Sequence, residues 1–476
     1  MSINNLNTYD VQRRAFLKRL SAMSAMGAAA PLAMNLAAVG EAAAFDSTDY
    51  KALVCIFLYG GNDHANTVVP YDLTNYDRYS AIRGGGAGRS AAGIAFGRDQ
   101  LTPNALTPLV SQTLTDDLQF ALAPGLTALK PLWSAGQLAI QLNVGPLVVP
   151  LTLAQYNSSN RVANPLPPRL FSHNDQQSVW QSSSPEGSTS GWGGRMGDLF
   201  AAGNGNATFT CVSVAGNAVY LSGQSAVQYQ VTTSGSVPLS ALKTPLFGSQ
   251  ACSDALKKLV TAPGSHLFEA EHARVMKRSI EADATLTSAL AGTTPLRTVF
   301  PTGNSLASQL AMVARMISAR TALTAKRQVF FVSLGGFDTH DGILTEHPAL
   351  MATVGQALAA FQAATVELGV ADSVTAFTAS DFGRTLSSNG NGSDHGWGGH
   401  HFVMGGAVQG GRYFGTAPHT SIATDDQVGQ GRLLPSTSVD QYAATLARWF
   451  GVSATEMPSI FPNVGNFATA DVGFMG

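Results

Sequence analysis

Residues 373–406 read SVTAFTASDFGRTLSSNGNGSDHGWGGHHFVMGG. They open with an apolar run over residues 374–377, which is typical of a buried strand, and Asp381 follows where that strand ends. A polar, glycine-rich segment comes next and carries His395. Carboxylates and imidazoles on loops beyond a strand are donors that protein-bound metal ions use. The stretch therefore predicts a metal-assisted hydrolase site at the end of a strand.

Three further apolar runs predict buried strands over residues 52–59, 138–142 and 328–334. Strands that are apolar throughout are typical of a parallel sheet that is covered on both faces. Apolar residues at helical spacing predict helices over residues 125–134, 266–290 and 306–324. Helices are also expected over residues 176–182, 348–369 and 439–450. The alternation of strands and helices predicts an α/β fold, a three-layer sandwich with a mostly parallel central sheet.

The sequence contains no repeat and no linker long enough to separate domains. We therefore expect one α/β domain over residues 45–476, in which residues 205–300 form an insertion of edge β-hairpins and helix. Residues 71–97 are rich in Gly, Arg and Ser and are expected to form a long surface loop. Of the three cysteines, Cys55 is expected in the core, whereas Cys211 and Cys252 could pair or stay free.

The first 44 residues have the organisation of an export signal. Arg13 and Arg14 precede an apolar run over residues 20–39, and small residues follow at 42–44. The paired arginines resemble the twin-arginine signal. A retained membrane anchor is the alternative, but glycine and proline interrupt the run, which favours cleavage. We expect a periplasmic or secreted bacterial protein, delivered by the twin-arginine machinery, with no stable membrane span after processing.

The charge of the chain bears on which kinds of partner it could bind. The formal net charge is −2, and charged residues make up 12% of the 476 residues. Such a weakly charged chain gives no electrostatic reason to expect nucleic acid as a partner.

Three of the predicted strands are followed by an aspartate: Asp63, Asp338 and Asp381. Ligand sites of open α/β sheets lie beyond the carboxyl ends of the strands, so parallel strands bring these side chains to one edge. Clustered carboxylates repel one another unless a cation lies among them. His340 and His395 would add nitrogen ligands, and one or two ions are expected. The alternative for each aspartate is a turn or a helix cap.

Other residues around these loops are weaker candidates. Ser172 precedes the predicted helix 176–182, whose free backbone N–H groups favour an anion, and it is a candidate nucleophile. Arg384 or Arg195 is a candidate for holding a substrate oxyanion through two hydrogen bonds. His400 and His401 are expected to be loop residues with no assigned role.

Several segments together resemble the bacterial family known as domain of unknown function 1501. They are ALVCIFLYGGNDHANTVVPYD (52–72), SHNDQQSVWQ (172–181), GWGGR (191–195), LGGFDTHDG (334–342), SDFGRT (380–385) and DHGWGG (394–399). The resemblance implies a branch of the alkaline phosphatase and sulfatase superfamily. That fold is an α/β sandwich with metal ligands on loops after parallel strands.

The resemblance also implies roles for single residues. Asp63 would take the place of the first-strand metal aspartate, and Asp338 with His340 that of the ligands of the other metal. Asp381 resembles the aspartate of the superfamily's Ser-Asp-His-Gly motif, and His395 the late histidine ligand. Ser172 occupies the place of the nucleophile that opens a helix.

His347 is a further candidate ligand beside His340 by the same resemblance. The chain departs from the superfamily at Phe382, where a histidine ligand is expected, and it has no Cys-x-Pro-x-Arg sulfatase motif.

These observations predict an exported metal-dependent hydrolase of phosphate or sulfate esters. A divalent ion (Zn, Mn or Ca) would activate Ser172 or water against a small-molecule or polymer ester. The alternative is a non-catalytic cell-envelope protein that retains the alkaline-phosphatase-like fold with at most a structural metal.

Overall fold

A computed structural model describes residues 49–84, 93–237, 242 and 244–476. The compact unit of this part runs from Tyr50 to Gly476. The expected export signal, residues 1–44, lies outside the described residues.

The strands are short at the edges of the sheet and long at its centre. They are β1 (Lys51–Leu58), β2 (Val68–Pro70), β3 (Phe120–Leu122), β4 (Leu138–Gly145), β5 (Cys211–Ser213), β6 (Tyr229–Thr232), β7 (Gly235–Ser236), β8 (Arg327–Leu334), β9 (Val374–Ser380), β10 (Gly399–Gly405), β11 (Tyr413–Phe414) and β12 (Thr437–Ser438). The central sheet has ten strands in the order β11-β4-β10-β9-β1-β8-β5-β6-β7, with β12 also paired to β4. Strands β2 and β3 form a separate antiparallel pair.

The sheet is mostly parallel, as predicted. Strand β1 lies between β8 and β9 and is parallel to both, with Leu58 opposite Leu334 and Ser380. Strand β10 is antiparallel to its neighbours β9 and β4, and β7 is antiparallel to β6. The predicted strands at residues 52–59, 138–142, 328–334 and 374–377 correspond to β1, β4, β8 and β9.

Helices cover both faces of the sheet. They are α1 (Leu73–Ile82), α2 (Arg98–Leu101), α3 (Lys130–Ser134), α4 (Leu153–Asn157), α5 (His173–Ser182), α6 (Trp192–Phe200), α7 (Gln250–Thr261), α8 (Leu267–Ala291), α9 (Ser305–Ser318), α10 (Ile343–Glu367), α11 (Val439–Phe450) and α12 (Met457–Ile460).

Side chains alternate between the two faces along β1. Val54 and Ile56 belong to the core formed with α9 and α10. Cys55 and Phe57 face the other side, where they line a small cavity with Trp180 of α5 and other aromatic residues. The arrangement is consistent with a three-layer α/β sandwich.

Helix α10 is long and apolar enough to cross a membrane by length and composition alone. Its apolar residues Met351, Val354, Leu358 and Phe361 are at most 1% exposed and belong to the core. Packing against the 3₁₀ helix Pro124–Leu129 and against α9 therefore accounts for its composition.

Two loop predictions are wrong. Residues 73–82 form helix α1, where the side chain of Asp72 accepts a hydrogen bond from the backbone N–H of Asn75. Only Tyr76 and Tyr79 bury large side chains there, so the sequence shows little recurrence of apolar residues at helical spacing. His400 and His401 lie on strand β10 and are buried, because the glycine-rich segment ends earlier than expected.

Two other predictions need smaller corrections. An edge hairpin exists as β6 and β7, but β5 is a parallel strand of the main sheet beside β8. The predicted helix 125–134 is a 3₁₀ helix, Pro124–Leu129, followed by α3. Cys55, Cys211 and Cys252 are all free, and Cys211 is buried whereas Cys252 is exposed.

Candidate metal centre

The loops that follow β1, β8 and β9 meet at the carboxyl edge of the sheet, because the three strands are adjacent and parallel. Two glycines allow the loops to approach closely. Gly60 has φ 118°, and a side chain there would overlap the backbone of Asp338. A side chain at Gly61 would overlap the ring of Phe382. The Gly-Gly pair that precedes Asp63 is therefore required for the site to assemble.

The carboxylate of Asp338 is the centre of a cluster that we call the Asp338 cluster, formed by His173, Asp338, His340 and His395. Oδ1 of Asp338 lies 3.1 Å from Nε2 of His340 and 3.2 Å from Nε2 of His395. Oδ2 lies 3.4 Å from Nε2 of His173. One ligand atom from each of His173, Asp338 and His395 lies within 4.8 Å of the others. The side chains of two loops and one helix thus converge on one point.

His395 presents an unprotonated nitrogen to this point. Its Nδ1 lies 2.8 Å from the backbone carbonyl oxygen of Phe171, and a carbonyl can only accept, so Nδ1 carries the proton. Burial and the nearby charges of His173 and Arg384 hold the pKa of His395 below its usual value. The ring is therefore neutral at pH 7 and directs the lone pair of Nε2 towards Asp338.

The backbone at Phe171 has an unusual conformation where its carbonyl meets His395. Its φ is 72°, in the left-handed region that a bulky side chain rarely adopts. The same ring packs under the guanidinium of Arg432, whose Nε donates to the carbonyl of His395 at 2.8 Å. Arg432 thus contacts both Phe171 and His395, which helps to fix the orientation of the His395 ring.

Asp338 is an ionised carboxylate. Burial opposes its ionisation, but the hydrogen bond and charge of Arg384, with His173 and His340, lower its pKa below the ordinary value. Nε2 of His340 and Nε2 of His395 lie only 2.9 Å apart beside it. At most one hydrogen can lie between these two nitrogens, so at least one lone pair faces the carboxylate. The guanidinium of Arg384 offsets part of the repulsion between this lone pair and the carboxylate, and a bound cation would offset the rest.

His173 was missed by sequence reasoning, which selected the neighbouring Ser172. His173 begins helix α5, and its Nδ1 lies 2.7 Å from Oδ2 of Asp381. Nε2 of Gln177, one helical turn later, donates to the same oxygen at 2.8 Å. The hydrogen bond to Asp381 raises the pKa of His173 against the effect of burial. The signal available in the sequence was the spacing of His173 and Gln177, which places both on one helix face.

Asp381 lies beside the cluster and orients His173. Its Oδ1 accepts the backbone N–H of Gly60 at 3.1 Å. Phe382 follows it and is buried, with ring centroids 4.9 Å from His173 and 4.5 Å from His395. The aromatic ring thus forms a wall of the site at the position where the family resemblance suggests a histidine.

Asp63 does not join the Asp338 cluster. It is fully buried and forms an ion pair with the guanidinium of Arg83, which is also fully buried. Burial would raise the pKa of Asp63, but Arg83, His347 and His64 outweigh it and the pKa is lowered. Nη1 of Arg83 also reaches the carbonyl of Leu386, at 3.2 Å.

Arg384 is fully buried beside Asp338, and its Nη1 donates to Oδ1 of that residue at 2.8 Å. Nε and Nη2 of Arg384 have no hydrogen-bond partner among the described residues. The guanidinium therefore balances the charge of Asp338 and keeps two nitrogens available to an acceptor.

Ser172 is the residue before α5, and its hydroxyl donates to Oδ2 of Asp175 at 3.0 Å. His347 is buried at a distance from the cluster, and its Nε2 lies 3.1 Å from Oδ1 of Asn62. The structure thus brings together Asp338, His340 and His395. Asp381 contacts the cluster through His173, whereas Asp63 and His347 lie outside the cluster.

A family model described as "Protein of unknown function (DUF1501)" matches residues 50–457. The chain belongs to this family. A search of curated proteins gives no match. The match spans every loop that contributes to the Asp338 cluster, so the cluster belongs to the part of the chain that defines the family.

Proposed function

We propose that this chain is an exported, metal-dependent hydrolase of phosphate or sulfate esters, with its metal at the Asp338 cluster. One observation carries the proposal: neutral His395 points a lone pair at the ionised carboxylate of Asp338. A divalent cation between them would turn this repulsion into coordination. Three imidazoles and a carboxylate suit Zn or Mn better than Ca, which prefers oxygen ligands.

A divalent ion held there would supply Lewis acidity, which polarises an ester oxygen and acidifies water. The residues of the chain have separate tasks in this scheme. Asp381 and the Phe171 carbonyl orient the rings of His173 and His395. The two buried, unpartnered nitrogens of Arg384, Nε and Nη2, carry N–H groups that would suit an acceptor such as water or an ester oxygen.

Water is the nucleophile that we favour over Ser172. The hydroxyl of Ser172 is engaged by Asp175, and the side chain that reaches Asp338 from this end of α5 is that of His173. A serine would need a base or a metal beside it to attack at neutral pH.

We further propose that the fold is alkaline-phosphatase-like. The support is the placement of site residues on loops after three adjacent parallel strands, with helices on both faces. Export by the twin-arginine route is proposed from Arg13 and Arg14. Changing both to Lys should leave unprocessed protein in the cytoplasm, and normal export of that variant would contradict the route.

The second candidate is a non-catalytic cell-envelope protein with at most a structural metal. Phe382 favours it, because a buried aromatic ring stands where the related superfamily would place a ligand.

Turnover separates the two candidates. Protein loaded with Zn or Mn should hydrolyse a nitrophenyl phosphate monoester, diester or sulfate, and His340→Ala should lose most of that activity. His419→Ala is the matched control, because His419 is similarly exposed and also contacts an aspartate, Asp116 at 2.9 Å. Loaded protein that turns over none of the three esters would favour the non-catalytic candidate.

A further inference from the structure

Three aspartates after parallel strands could hold two ions, and two-ion sites are common among enzymes that cleave phosphate esters. Whether a second ion fits depends on which carboxylate oxygens still have a free lone pair. A carboxylate has about four lone-pair positions in all.

Asp63 has none to offer. Its Oδ1 accepts the backbone N–H groups of Ala65 and Asn66, each at 3.1 Å. Its Oδ2 accepts the guanidinium of Arg83 and the hydroxyl of Ser393, the latter at 3.2 Å. Four donors surround the carboxylate, and the side chain is fully buried. A metal ion would have to displace Arg83, which forms an ion pair with no other carboxylate among the described residues.

Asp381 is nearly as fully occupied. Oδ2 accepts His173 at 2.7 Å and Gln177 at 2.8 Å, while Oδ1 accepts the N–H of Gly60 at 3.1 Å. The next residue, Phe382, fills the adjacent space with an aromatic ring that has no ligand atom. The pair Asp63 and Asp381 therefore does not form a second metal position.

Two fully buried guanidiniums lie beside the carboxylates at this edge of the sheet. Arg83 pairs with Asp63, and Arg384 pairs with Asp338. The carboxylates at this edge are Asp63, Asp338, Asp381 and Asp394, and the guanidinium of Arg432 also acts on Asp394. Four negative charges thus face three positive ones. With neutral imidazoles, one divalent ion more than cancels the remaining negative charge, and a second ion would make the site strongly positive.

We infer that the site takes a single divalent ion, at the Asp338 cluster, and that Arg83 and Arg384 provide the positive charge that a second ion would otherwise supply. The inference rests on the proposed function, since it assumes that the Asp338 cluster binds metal. It assigns Arg83 a positioning role, because Arg83 acts through Asp63 and the carbonyl of Leu386 rather than on a substrate.

Metal stoichiometry tests the inference without an activity assay. Untagged protein is dialysed against excess Zn or Mn, and bound metal is measured by mass spectrometry. One ion per chain is expected. Two ions per chain would overturn the single-ion inference and leave the proposed function standing. No bound ion would overturn both.

A pair of variants locates the ion. Asp63→Asn/Arg83→Met removes both charges of the buried pair, and its affinity for the ion should stay within about threefold of the parent by calorimetric titration. His340→Ala should weaken binding at least tenfold. If the folded double variant binds ten times more weakly than the parent, Asp63 belongs to the metal site and the inference is wrong. Should the double variant not fold, the stoichiometry of the parent protein still decides.

Discussion

Nδ1 of His173 lies 2.7 Å from Oδ2 of Asp381, and this contact joins the start of helix α5 to the end of strand β9. It fixes the ring so that Nε2 points towards Asp338. Asp381 therefore acts on the cluster through a histidine, as carboxylates behind metal-binding histidines do.

Asp381→Asn should weaken metal binding by roughly 10–100-fold, because it removes the charge that orients His173. Calorimetric titration with Zn or Mn measures the effect. Gln177→Leu is the matched control, since Gln177 contacts the same oxygen but not the cluster, and it should weaken binding less. Unchanged affinity in Asp381→Asn would show that His173 is not a ligand.

Ser172→Ala should retain ester hydrolysis within a few-fold, because the hydroxyl contacts Asp175 and makes no side-chain cap to α5. The loss of stability should be below about 1 kcal/mol, less than a true N-cap substitution costs. Steady-state kinetics on loaded enzyme check the first point and urea unfolding the second. A fall of several orders of magnitude in kcat would restore Ser172 as the nucleophile.

Arg83→Met should lower the free energy of unfolding by about 3–5 kcal/mol, because it leaves the carboxylate of Asp63 buried without a counter-charge. Asp63→Asn/Arg83→Met should be destabilised by much less than the sum of the two single changes. Urea unfolding of the four proteins in the cycle gives the coupling energy. Additive effects would mean that the pair contributes little to the domain.

The protein should lose stability as the pH falls from 7 towards 4. Burial lowers the pKa of His64 and of His347 to about 4, and that of His401 to about 3. Unfolded imidazoles titrate near 6.5, so between these values the unfolded chain binds protons that the folded chain does not. The free energy of unfolding then falls by up to about 1.4 kcal/mol per pH unit for each histidine.

The slope of stability against pH identifies the groups. His401 packs against the rings of Trp180 and Tyr442, so His401→Phe keeps an aromatic ring there and removes one titrating group. Its unfolding free energy between pH 6 and 4.5 should depend less steeply on pH than that of the parent. An equal slope would exclude His401 as a contributor.

The centre of the fold was predictable because its strands are continuous apolar runs. β1 is apolar throughout after Lys51, β8 contains the apolar run 329–332, and β9 is buried along its whole length. Each ends at a loop that carries an aspartate, and the loops after β8 and β9 bring Asp338, His340 and His395 together. These three site residues could therefore be predicted from the sequence.

The partner of Asp63 could not be predicted in the same way. Arg83 follows a helix that buries few large side chains, and a pattern of residue types does not reveal which buried charges meet. His173 was hidden for a different reason. A serine beside it matched the expected nucleophile, whereas the role of His173 depends on Asp381, which is far away in the chain.

Anomalous scattering from crystals grown with Zn or Mn tests the central claim most directly. The account predicts one peak at the Asp338 cluster, about 2.0–2.2 Å from ring nitrogens of His173 and His395 and from the carboxylate of Asp338. His340, whose Nε2 lies 2.9 Å from that of His395, should be the fourth ligand. A map with no peak there, from protein that is folded and saturated with the metal, would contradict the account.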